Sequence, residues 1–120
     1  MDFREIIRKV VDGVNGGLGG ALMGADGIPV ATYVREDTPV AMDDLGAELS
    51  SLLQQLGGVL DPELVGTLQN LWLTTDRMKI LVVNFSEDYF LVFLFEPDAY
   101  MGQCLFNVNR QKDQILAELA

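Results

Sequence analysis

Histidine is absent from the 120-residue chain and cysteine occurs once. The first absence removes the side chain that most often serves as general base, triad partner or imidazole metal ligand. The lone thiol, Cys104, has no partner for an internal disulfide. It falls on an apolar helical stripe with no imidazole to activate it, so it reads as inert core and not as a nucleophile. Cations are scarce as well: 8 Lys and Arg stand against 18 Asp and Glu, a formal net charge of -10. Such a field repels polyanions, which argues against nucleic acid and anionic membrane surfaces as partners. The cations are scattered, with Arg4, Arg8 and Lys9 as a group of three near each other. No apolar run approaches the roughly 18 residues of a membrane span, so no direct membrane insertion is expected. The first residues carry charges where a secretory signal needs an apolar stretch, and with the single cysteine this leads to the expectation of a cytoplasmic protein.

Nucleotide loops are missing too. Gly17-Leu18-Gly19 is followed by Leu22 where a dinucleotide fingerprint needs its third glycine, and no Gly-Lys-Ser/Thr occurs. The acidic residues are too dispersed for a calcium loop. Asp43/Asp44 and Glu87/Asp88 are the adjacent carboxylate pairs, but a helix start and a hairpin tip are ordinary solvated places for acids. No catalytic residue, cofactor site or metal site is expected, and the chain does not read as an enzyme.

What the sequence does have is apolar matter: 49% hydrophobic residues and a mean hydropathy of +0.22 predict one densely packed domain over residues 1–120. Phe3, Ile6, Ile7, Val10, Val11 and Val14 recur at helical spacing, and Asn15 with the glycines after it stops that helix. Asp26-Gly27 between two apolar stretches predicts a tight hairpin joining strands at about 18–24 and 29–35. From about 40 to 60, Met42, Leu45, Leu49, Leu52 and Leu56 mark a second helix, widened by Leu53 and Leu60 and ended by Gly57-Gly58 before Asp61-Pro62. Three meandering strands follow between Thr67 and Phe95. The last two are apolar at odd and even positions alike, so both faces of the sheet need helices over them. Met101, Cys104, Leu105, Val108, Ile115, Leu116 and Leu119 form the stripe of a closing helix. The order is α-β-β-α-β-β-β-α, an α+β chain.

Two features suggest self-association. The helix over 40–60 holds no Lys or Arg and interleaves Gly46, Ala47, Ser50 and Ser51, small enough for a second helix to approach closely. Residues 67–75 read as an edge strand without the lysines that protect an edge from pairing. Leu45, Leu49, Leu52, Leu53, Leu56, Thr67, Gln69, Leu71 and Leu73 are therefore the expected dimer contacts.

The pattern resembles the roadblock family of dynein-light-chain-like domains, which have a profilin-like or longin-like fold. The likeness is carried by the hairpin from Gly19 to Val34, by the small-and-leucine helix from Asp43 to Leu60, and by the three strands and closing helix in family order. The resemblance implies a five-stranded antiparallel sheet of order 2-1-5-4-3, with the first and last helices on one face and the central helix on the other. It implies a homodimer or paralogous heterodimer, with central helices antiparallel and third strands edge to edge. It further implies a noncatalytic regulator or scaffold of a Ras-like small GTPase, as in bacterial GTPase-activating members, or else a light-chain subunit of a motor or signalling complex without a GTPase partner.

Overall fold

β-Strands that are apolar at every position have to be covered twice, and the molecule is built around that requirement. The computed structural model describes residues 2–119. They form α1 (Phe3–Asp12), β1 (Gly17–Gly24), β2 (Pro29–Val34), α2 (Met42–Val59), α3 (Pro62–Val65), β3 (Asn70–Thr74), β4 (Lys79–Asn84), β5 (Tyr89–Phe95) and α4 (Met101–Leu119). The strands make one antiparallel sheet, β2-β1-β5-β4-β3, the order that the resemblance implies.

Alternation along β5 divides the core. Leu91, Phe93 and Phe95 join Leu22, Leu81 and Val83 beneath α1 and α4, which contribute Ile6, Ile7, Val10, Val11, Cys104, Val108 and Ile115. Phe90, Val92 and Leu94 join Ala21, Met23, Ile80 and Val82 on the other face, where Met42 and Leu49 of α2 close over them. Each Val, Leu, Ile, Phe or Met side chain among them stabilises the fold by about 1.5–3 kcal/mol when fully buried, so the two layers together are the main favourable term.

The glycines after α1 work as close packing and chain reversal. Asp2 caps the helix start, its carboxylate accepting the Glu5 N–H at 2.8 Å, and Gly13 closes the end. Gly16 then takes φ 95°, a left-handed value that a side chain would oppose. A Cβ on Gly17 would collide with the Val11 carbonyl, and one on Gly20 would lie 2.6 Å from the Phe93 ring. The Gly17 N–H is spent on the Val14 carbonyl at 3.1 Å, and the Gly16 carbonyl accepts from Glu96 at 2.7 Å. These groups turn inward to the protein's own backbone.

Local chemistry sets the chain reversals. The β1–β2 reversal spans Ala25–Ile28, the residues left between the two expected strands, with the Gly24 N–H on the Ile28 carbonyl at 2.9 Å and the Asp26 carboxylate accepting from the Ile28 N–H at 3.0 Å. Gly27 there has positive φ, at 86°. Gly57-Gly58 falls in the last turn of α2, which ends at Val59 before Leu60 turns extended at φ -84° and ψ 109°. Asp61-Pro62 then opens the short α3, which the apolar spacing does not predict, with Asp61 as its cap and Pro62 at its first position.

Cys104, on the inner side of α4, is fully buried. Burial pushes its thiol up from 9.0 to about 11, against a smaller opposing pull from the Lys79 ammonium. The unfolded chain therefore ionises first: this contribution to stability is complete below pH 9 and is lost as pH climbs toward 11. In denaturant titrations across that window, Cys104→Ala should lose less stability than the parent chain. By the same measurement at neutral pH, Gly17→Ala should destabilise by at least about 2 kcal/mol through its clash with backbone. Gly57→Ala, where an added Cβ meets nothing within 4 Å, should stabilise by about 0.5–1 kcal/mol.

Candidate functional site

The leucines of α2 repeat at three and four residues, so they share one side of the helix, and that side is turned to the sheet. Leu49 is buried there, and Leu45, Leu52 and Leu53 pack half-buried against the same cluster. Leu56 is half-buried farther along the helix. α2 lies chiefly over β1 and β2. At the far end of the same face, Leu71 and Leu73 of β3 stand opposite Val82 and Ile80 of β4 and stay half-buried. Six of the nine expected contact residues thus gather in one layer, while Thr67 and Gln69 are exposed between α3 and β3.

The small residues divide differently from expectation. Gly46 is pressed against Met23, and the Ser50 hydroxyl donates to the Ala25 carbonyl at 2.6 Å, so both face inward. Ala47 and Ser51 are exposed on the outer side, beside Asp44, Glu48 and Gln55. Beyond them the α2–α3 corner leaves Val59 and Leu64 about 80% and 83% exposed.

β3 pairs with β4 alone, and its residues Asn70–Thr74 include no charge. The Asn84 N–H donates to the Gln69 carbonyl, and the Thr75 N–H donates to Met78, both at 2.9 Å. Antiparallel alternation then turns the backbone groups of Asn70, Trp72 and Thr74 outward, free to pair with another strand. A cavity of about 470 Å³ opens beside the start of this strand, lined among others by Leu53, Gln54, Thr67, Gln69, Phe85 and Lys112. Sequence spacing does not place Lys112 there, because only the folded α4 carries it across.

The other candidates do not assemble into chemistry. Asp43 and Asp44 occupy the exposed first turn of α2, and Glu87 and Asp88 the exposed β4–β5 turn. Among the described residues no three His, Cys, Asp or Glu side chains are grouped to hold a metal ion, and no buried polar side-chain atom lacks a hydrogen-bond partner. Trp72 packs on Phe95 with ring centres 6.5 Å apart, and Tyr33, Phe85 and Tyr89 lie against the same layer. No helix of the described residues is long and apolar enough to cross a membrane.

No protein-family model matches the chain, and no curated protein does. Solved structures do. A Roadblock/LC7 domain from Streptomyces avermitilis superposes with a TM-score of 0.84 at 15% identity, over 99% of this chain and 98% of that one. MglC from Myxococcus xanthus has a TM-score of 0.68 at 27% identity, over 98% and 99% of the two chains. The gliding protein MglB from Thermus thermophilus reaches 0.77 at 16% identity, over 89% of this chain and 80% of that one. The strand order, the helices on both faces and these superpositions agree: the chain has the roadblock fold, within the wider profilin-like architecture.

Proposed function

We propose that the chain is a noncatalytic, cytoplasmic, dimeric regulator or scaffold of a Ras-like small GTPase. The observation that carries this reading is the uncharged β3 edge beside the half-buried Leu71 and Leu73, at the end of a face that α2 covers chiefly over β1 and β2. A second copy, or a paralogue, supplies what is missing: its β3 continues the sheet and its α2 lies against the first. In that arrangement Leu71, Leu73, Thr67 and Gln69 sit at the strand junction. Leu45, Leu49, Leu52, Leu53 and Leu56 fill the layer between helix and sheet, while Ala47 and Ser51 let the helices approach. Regulation of this kind needs no donated catalytic side chain, because reordering the GTPase's own groups suffices. The net charge of -10 suits a partner with a basic patch, whose encounter slows as salt rises.

Sedimentation equilibrium at micromolar concentration should give twice the chain mass. Ala47→Glu with Ser51→Glu, both on the exposed side of α2, sets like charges against each other across the two-fold axis. The dissociation constant of the dimer should rise roughly a hundredfold, a loss of about 2.7 kcal/mol of association free energy. Purified small GTPases of the host, loaded with GDP or a GTP analogue, should bind the parent dimer with a clear preference for one state. Equal or absent binding in both states would contradict the regulatory reading and leave a light-chain subunit.

A further inference from the structure

Three of the 8 cationic side chains converge at the opposite edge of the sheet, around one tyrosine of β2. Arg4 and Arg8, one turn apart on α1, hold their guanidinium carbons 5.3 and 5.9 Å from the centre of the Tyr33 ring. Arg35, just past the end of β2, reaches Asp12 at 3.4 Å, and Arg8 reaches the same carboxylate at 3.3 Å. The Tyr33 hydroxyl donates to Asp12 at 3.5 Å. Asp12 is thus the carboxylate paired within the cluster; Asp43 stands on the wall of the adjoining depression of about 480 Å³, with Arg4 and Pro29–Thr32. Arg8 and Arg35 remain 60% and 39% exposed. Pairs so exposed add little to stability, which gives the fold little reason to collect arginines here.

β2 itself is an open edge. It pairs only with β1, holds no charged residue between Pro29 and Val34, and leaves Val30 exposed. The Arg35 N–H donates to the Leu18 carbonyl at 2.9 Å. Alternation then turns the backbone groups of Thr32 and Val34 away from β1. An edge with free backbone groups and a rim of guanidiniums fits one kind of occupant.

We propose that β2 binds an acidic, extended segment of a partner protein, added to the sheet as a sixth strand. Its backbone pairs with Thr32 and Val34, and its carboxylates meet Arg4, Arg8 and Arg35. Backbone pairing supplies affinity and the arginines supply selection, a recognition mode that needs only an exposed sheet edge. Charge complementarity is local: the segment reads a cationic rim on a chain whose overall field repels nucleic acid and anionic lipid. The site lies across the sheet from β3 and involves no GTPase, so its failure leaves the reading above standing.

Short random peptides selected on the intact chain test this. The selected sequences should alternate Asp or Glu with β-branched residues and perturb the Thr32 and Val34 amide resonances. They should bind Arg4→Gln/Arg8→Gln about tenfold or more weakly, since the variant loses its charge-assisted hydrogen bonds to the peptide carboxylates. Methylating alternate peptide nitrogens, which leaves the protein untouched, should abolish binding. Selected peptides without an acidic excess, equal affinity for the double variant, or tolerance of N-methylation would each overturn the proposal. So would binding of phosphatidylserine vesicles through the same arginines with no peptide bound.

Discussion

The burial of β5 on both faces is the constraint from which the rest of the molecule follows. Its seven residues are almost wholly apolar, so no orientation of the strand puts a wet face outward. Placing it in the middle of the sheet, between β1 and β4, satisfies its backbone; two layers of helices satisfy its side chains. α1 and α4 together cover one face. On the other, α2 is the only long helix among the described residues, and α3 buries none of its own side chains. A single helix lying over β1 and β2 leaves the β3 end of that face with less cover, and there the leucines stay half-exposed.

The two edges of the sheet are therefore unlike. β3 offers uncharged backbone next to aliphatic side chains, a surface that another copy of the same surface can complement. β2 offers backbone next to arginines drawn from α1 and from its own end. Its guanidiniums set this edge apart chemically from β3. The acidic remainder of the chain sharpens the contrast, because a net charge of -10 disfavours the approach of an acidic strand to the surface as a whole.

Much of this was legible along the chain because periodicity reports burial directly. The unbroken apolar runs of β4 and β5 demanded helices on both sides, and the three-and-four spacing in α1, α2 and α4 supplied them. What periodicity does not carry is direction. The leucines of α2 appear the same whether they meet their own sheet or a partner's, and in the fold they meet their own sheet. Gly46 and Ser50, small enough to suggest helix contact, prove to be small because Met23 and the Ala25 carbonyl press against them. Gly57-Gly58 read as a stop, and α2 ends one residue beyond them; the four-residue α3 that follows is too short to show a period. The arginine cluster was half visible as Arg4 and Arg8; Tyr33 and Arg35 join it only through β1–β2 pairing, which is a long-range fact.

The central claim is that the β3 edge is covered by a second chain in solution. Hydrogen exchange at the outward amides of Asn70, Trp72 and Thr74, followed over a dilution series, measures that cover directly. The account predicts strong protection at high concentration that fades on dilution in step with dissociation, while the amides of β5 stay protected throughout. Fast exchange at those three positions at every concentration would contradict it.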